Sequence, residues 1–318
     1  MALHTRLTEL LGVKHPIIQG GMAWTATAEL AAAVSNGGGF GIIGAGHMSG
    51  PVLRDEIRRA KALTDLPFGV NLMLLSPRID EVVDVVIEEG VHAVTTGAGN
   101  PGRYMSELKS TRIMIIPIAP SVAFARRMES LGADAIIGEG TEAGGHIGEL
   151  TTMVLVPQLV DSVDIPVIAA GGIADGRGIA AAFALGAEGV QVGTRFMCAE
   201  ECTIHPLVKE QILKARDRDT TVTGRSTGHP VRVLKNRLSR EMEQLDMQNR
   251  PEEIEALGGG KLALAMREGD VDMGSLMAGQ AAAMVCKIQP AAEIVFEMIE
   301  EAQTIVSRLG GLPTARRP

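Results

Sequence analysis

His146 is the residue of this 318-residue chain best placed for proton transfer. It stands in EAGGHIGELTTM, where Gly144, Gly145 and Gly148 predict a compact turn and Thr151 offers a cap to the helical stretch that follows. An imidazole on such a loop titrates near neutrality and can donate or accept a proton. Two further segments suit an anion. In AAGGIADGRG, Gly171 and Gly172 free the backbone for close approach and Asp175 can cap the next helix; in VQVGTRF, Gly193 and Thr194 present backbone N–H groups and a hydroxyl. Side by side, these turns make an anion cradle that needs no lysine. Asn71, at the end of an apolar run, suits hydrogen bonding to a planar heterocycle, and Met22 and Ala23 offer backbone groups to a ring edge. Gln19 and Glu139 occupy similar run ends, where a polar residue either binds a ligand or merely ends a strand.

The other reactive side chains carry less. His4, His92 and His205 read as surface or helix-start residues, and His229, before Pro230, as a turn residue. Cys198 and Cys202 lie one helical turn apart without partners at metal-ligand spacing. With Cys286 they form an odd set lacking C-x-x-C, so no metal site is expected, and free thiols in a reducing cytoplasm are.

The elements that must hold these groups are eight short apolar runs, PIIQGGM, FGIIGAG, PFGVNLM, AVTTGAG, IMIIPIAP, AIIGEG, PVIAAGG and GVQVGT. Most are followed by an amphipathic helical stretch such as PRIDEVVDVVIEEG. Uninterrupted apolar strands separated by helices imply a parallel sheet covered on both faces, and eight such units predict a (β/α)8 TIM barrel. An open doubly wound sheet fits less well, because no dinucleotide fingerprint opens the chain. In a barrel the site lies at the C-terminal ends of the strands, with phosphate commonly held after strands seven and eight. That is where the paired glycine turns fall.

The barrel core is expected over residues 1–216. Residues 217–280, with the turn-rich TTVTGRSTGHP, the charged helical VRVLKNRLSREMEQLD and the loop GDVDMGSLMAGQ, read as a small, mainly helical subdomain over the barrel mouth. Residues 281–318 are expected to bring a helix back onto the barrel and end in a tail. Thirty basic against 38 acidic residues give a charge of −8 with no basic tail, the wrong field for nucleic acid. The longest nearly uncharged apolar stretch, Ile113–Ala125, carries two prolines and falls short of the ~20 residues of a membrane span.

Taken together, PIIQGGMAW, AVSNGGGFGIIGAG, PFGVNLMLLSP, AVTTGAGNP, EAGGHIGELTTM, PVIAAGGIADG, VQVGTRF, GHPVRVLKNRLSR and DMGSLMAGQ resemble the flavin-dependent enoyl-[acyl-carrier-protein] reductase II (FabK-type) family, within the nitronate monooxygenase-like barrels. The resemblance covers nearly the whole chain. It implies FMN in the barrel mouth, NADH or NADPH as electron source, a trans-2-enoyl thioester as acceptor, a homodimer and activation by a monovalent cation. By that likeness Met22, Ala23, Asn71, Glu139, Gly145, Gly171, Gly172, Gly193 and Thr194 surround the flavin, and His146 is the active-site histidine. The acyl tail then needs an apolar trench, expected from Met22, Phe40 and Met273–Met277. An acidic carrier protein needs a basic docking surface. Arg232, Lys235 and Arg237 supply one, within a stretch from Thr220 to Arg240 that lacks Asp and Glu. Two competing expectations are a nitronate monooxygenase, which needs no nicotinamide, and a non-catalytic flavin-binding protein.

Overall fold

The computed structural model describes residues 3–310. Strands β1 (Ile17–Gln19), β2 (Gly41–Gly44), β3 (Phe68–Met73), β4 (Ala93–Gly97), β5 (Met114–Ala119), β6 (Ile136–Glu139), β8 (Val167–Ala170) and β9 (Gly189–Val192) form one parallel sheet in the order β1-β9-β8-β6-β5-β4-β3-β2. A parallel bridge between Ile18 and Phe40 closes it into the expected barrel. At that seam Gln19 does structural duty. Its backbone N–H donates to the Phe40 carbonyl at 2.9 Å, and its side-chain Oε1 accepts from the Ile42 N–H at 3.1 Å.

Consecutive isoleucines explain why the runs are uninterrupted. In β1, β2, β5 and β6, the first of each pair (Ile17, Ile42, Ile115, Ile136) and the second (Ile18, Ile43, Ile116, Ile137) point to opposite faces, one inward and one under the helices. Each fully buried side chain of this kind contributes roughly 1.5–3 kcal/mol. The inner cluster includes Leu7 and Leu11 of the helix Arg6–Leu11, which closes the base of the barrel.

Beyond the barrel, β10 (Thr220–Thr223) and β11 (Val231–Leu234) pair as an antiparallel hairpin. The hairpin takes a third strand, β7 (Gly145–His146), from within the barrel sequence. Within the stretch read as turn-rich only Thr220–Thr223 is strand, whereas Val231–Leu234, read as the start of the charged helical segment, is strand and the helix begins at Arg237. Helices Arg237–Met247, Pro251–Gly258 and Lys261–Glu268 follow, around a small core of Leu238, Met242 and Ile254. The helix Ala291–Gly310 returns to pack on the helix Gly176–Ala184, with the Glu301 carboxylate accepting from the Gly176 N–H at 2.8 Å. Among the described residues no helix is long and apolar enough to cross a membrane.

Candidate active site

Register brings the sequence-predicted groups to one rim. Glu139 pairs with Ala170, Ala170 with Gln191, and Val192 with Gln19. The turns after β6, β8, β9 and β1 therefore leave the barrel as neighbours. Gly171 (φ +96°) and Gly172 (φ +73°) are left-handed, which favours glycine. A side chain on Gly171 would strike the Gly140 carbonyl at 2.9 Å, whereas one on Gly172 would meet nothing nearer than the Glu142 side chain at 3.4 Å. At Gly193 the nearest atom would be Met22 Sδ, at 3.6 Å.

Two of the three helix N-termini on this arc are already occupied by carboxylates. Glu142 accepts from the Thr152 N–H at the start of Thr152–Val160. Asp175 accepts from Arg177 and Gly178, as expected from the sequence. The short helix Thr194–Met197 takes no side-chain cap. Free N–H groups and open glycine surface thus coincide at Gly193–Thr194 and Gly172, the arrangement an anion needs. Thr194 Oγ1 accepts from the Gly279 N–H at 2.9 Å, which leaves its own hydroxyl proton to donate.

Across the mouth the packing is tighter. Asn71 Nδ2 donates to Thr95 Oγ1 at 2.9 Å, and its side chain fills the space beside Gly21. The Met22 carbonyl lies against Gly44. Trp24 holds a left-handed backbone (φ +64°), rare for a bulky residue, and stacks on His47 with ring centroids 3.7 Å apart. The Trp24 backbone N–H donates to His47 Nδ1 at 3.2 Å, which requires that nitrogen unprotonated. Burial, aided by the Arg267 guanidinium, pushes the His47 pKa down to about 4 and keeps it so. Arg267 in turn lies 5.4 Å from the Trp24 ring centre. His47, Trp24 and Arg267 thus brace the turn that presents Met22 and Ala23. The sequence reading named none of the three braces for this role.

Two rim groups lack partners. Burial pushes the Glu139 carboxyl up to about 7, with no cation to offset it. Gln191 is buried, its Oε1 unpaired, and its side chain lies 3.6 Å from where a side chain on Gly20 would begin. Gln191 was missed from sequence, although a polar residue between the two valines of GVQV was a usable signal.

His146 sits in β7, opposite Val231 of β11, with Gly145 (φ +80°) opposite Arg232. Its side chain is exposed, yet surrounding protein desolvates it and, with His229, lowers its pKa. Met277 Sδ lies 3.7 Å from where a Gly145 side chain would begin.

Several expectations need correcting. Phe40 is fully buried in the inner barrel cluster with Leu7 and Leu11 and lines no trench, and Met273 packs against the helical core of the subdomain. Thr151 stands at the cap position but its hydroxyl makes no cap bond, and the remote Glu142 instead holds the Thr152 N–H at the first helical position. Arg232 is no surface charge. It is buried, with Nε donating to the Thr141 carbonyl at 3.0 Å and a terminal nitrogen to Thr220 Oγ1 at 3.2 Å. Lys235 and Arg237 are exposed, the latter paired with Glu241. Cys198 and Cys202 are buried and form no disulfide, the Cys202 thiol donating to the Thr25 carbonyl at 3.8 Å, and burial pushes the Cys198 thiol up to about 11.

A model of the nitronate monooxygenase family matches residues 4–83 and 77–301. Among solved structures, FabK from Thermotoga maritima is 51% identical, covers 98% of this chain and 99% of its own, and superposes with a TM-score of 0.96. A nitroalkane oxidase from Streptomyces ansochromogenes is 30% identical over 95% of this chain and 99% of that one, with a TM-score of 0.85. The (3aS,4S,5R,7aS)-5-hydroxy-7a-methyl-1-oxo-octahydro-1H-indene-4-carboxyl-CoA dehydrogenase of Rhodococcus jostii (strain RHA1) is 42% identical, over 76% of this chain and 68% of that protein.

Proposed function

Because the chain belongs to the nitronate monooxygenase family, whose members are flavin-dependent oxidoreductases, we propose that it is a FabK-type reductase acting on trans-2-enoyl-[acyl-carrier-protein] with NADH or NADPH. The observation that carries this reading is the 51% identity to FabK across 98% of the chain.

The mouth fits FMN. Gly172, Gly193 and Thr194 leave an uncapped, side-chain-free cradle for a phosphate, and the unpaired Glu139 and Gln191 offer acceptors to hydroxyl or ring N–H groups. Asn71, Met22 and Ala23 would border the ring, with Gly145 and Gly171 shaping the walls. Bound FMN supplies the two-electron relay between reduced nicotinamide and the carbon–carbon double bond. The protein supplies position and a hydrogen-bond donor. With its pKa held below the ordinary histidine value, His146 is neutral at pH 7 and can donate an N–H toward the thioester oxygen as negative charge develops there. The α-carbon takes its proton from solvent water beside the imidazole. Met22 and Met277 give the acyl chain an apolar border.

A homodimer, an activating monovalent cation and a cytoplasmic location belong to the same reading. Exposed Leu150, Met153 and Val154 beside the mouth offer a surface to a second copy, and the three free thiols suit a reducing compartment. For the carrier protein, Lys235 and Arg237 remain on the outer face of the subdomain. Arg232 drops out.

The test is the absorption spectrum of the purified protein, recorded anaerobically before and after NADH and then after a crotonyl thioester presented on carrier protein or on coenzyme A. Flavin that bleaches with NADH and recovers with the thioester is expected, with steeper salt dependence for the carrier-borne substrate. Flavin untouched by NADH but turned over aerobically by a nitronate would favour the monooxygenase. Flavin inert to both would indicate a binding protein.

A further inference from the structure

The segment Gly140–Ile147 carries His146 between two anchors. On the subdomain side Arg232 Nε donates to the Thr141 carbonyl at 3.0 Å, and the Ile147 N–H donates to the Pro230 carbonyl at 3.1 Å. On the barrel side the anchor is Glu142. Its two carboxylate oxygens lie 3.0 and 2.9 Å from the Thr152 N–H, and Oε2 is 3.0 Å from Thr152 Oγ1. That same hydroxyl lies 3.0 Å from the Gly171 carbonyl and 3.1 Å from that of Ala170. Glu142 Cβ stands 3.4 Å from where a Gly172 side chain would begin, and the Glu142 carbonyl accepts from the Gln280 N–H at 2.9 Å. One residue thus touches the turn after β8, the helix that follows β7, and the loop whose Gly279 donates to Thr194.

Resting on the reading that His146 serves the reaction, we propose that Glu142 is the positioning residue for His146, fixing the imidazole relative to the glycine turns after β8 and β9. Helix capping alone does not account for it. Glu142 does not replace the N-cap Thr151: it takes the N–H of Thr152 at the first helical position, not the second or third that an N-cap side chain serves, and it also borders the turn after β8 and accepts from the Gln280 N–H. The link from Glu142 to His146 is short and stiff. A side chain on Gly144 would collide with the backbone of Ala278 and Gly279, so the segment cannot slide there, and Gly145 holds a left-handed turn. A shift at residue 142 must reach residue 146.

A double-mutant cycle on the holoenzyme tests this. Thioester reduction should fall ~10²-fold in His146→Ala, the usual range for one donor to a developing oxyanion. In Glu142→Gln, which keeps the shape but weakens a charge-assisted acceptor, it should fall ~10-fold. The double variant should lose no more than His146→Ala alone. Thr152→Val, which removes only the hydroxyl leg, should lose less than Glu142→Gln and show the same lack of additivity. Amide hydrogen exchange of the flavin-free protein gives a readout apart from turnover: residues 143–147 should exchange ~10-fold faster in Glu142→Gln while β2–β4 stay protected. Losses that multiply to ~10³-fold in the double variant, or unchanged exchange at 143–147, would overturn the proposal. A wild type that reduces no enoyl thioester defeats the functional reading instead, and the exchange result still decides the role of Glu142.

Discussion

The glycines of the barrel strands and their turns serve two opposite uses. Along β1 and β2, a side chain on Gly21, Gly41 or Gly44 would fall onto Asn71, the Ala31 carbonyl or the Met22 carbonyl. There the missing side chain is space already taken by the protein. Around β7–β9, Gly172, Gly193 and Gly145 face only the side chains of Glu142, Met22 and Met277, at 3.4, 3.6 and 3.7 Å. There it is space kept for something else. Even within one Gly-Gly pair the uses split, Gly171 being packed and Gly172 open. Close packing and ligand approach both select glycine, so residue type alone does not say which of these glycines receives a ligand.

The sharpest way to break this contrast is to substitute one glycine of each kind. Gly41→Ala drives a methyl into backbone that cannot yield, and the cost should reach ~4 kcal/mol or more, enough to abolish soluble protein or collapse the denaturant midpoint. Gly172→Asp places a residue tolerant of left-handed backbone into open space. The fold should survive while FMN affinity falls ~10²-fold through repulsion of the phosphate. Gly172→Asn, uncharged, should lose far less in the same fluorescence titration. Comparable destabilisation by Gly41→Ala and Gly172→Asp would erase the distinction.

A smaller effect separates the polar groups of the two regions. Asn71 in the packed region is neutral and paired, whereas Glu139 in the open region holds its proton up to about 7 because burial penalises the charge. The folded state then binds that proton more tightly than the unfolded chain. The associated stability is fully present below the ordinary carboxyl pKa and is lost as pH rises through 7, by at most about 3 kcal/mol. The denaturant midpoint of the flavin-free protein should fall between pH 5 and 8, and Glu139→Gln should flatten that slope. An equal slope in the variant would assign the titration elsewhere.

What the sequence made legible follows the same physics. The barrel strands are buried on both faces, so their runs stand out, and their glycine ends mark the rim. The β10–β11 hairpin was harder. TTVT is β-branched but half-exposed, and its GRSTGHP connection dominates the composition. Strand β7 is two residues held by main-chain pairing, which leaves no compositional trace. Arg232 shows why charge counting misleads: between Val231 and Val233 in a strand, one face must take the arginine, and here that face is covered by Thr141 and Thr220. Phe40 begins a strand at the base end of the barrel, where a large ring fills the interior. The Glu142 contact is invisible locally because Thr151 occupies the position where a cap is sought.

The pairing of β7 with β11 makes the histidine a passenger of the hairpin. Residues 145–146 and 231–232 belong to one small sheet although some eighty positions of chain separate them, so any tilt of Thr220–Leu234 carries the imidazole with it. A chimera that borrows residues 217–280 from a relative would also re-aim His146, and restoring its position would mean readjusting the Gly144–Ile147 backbone.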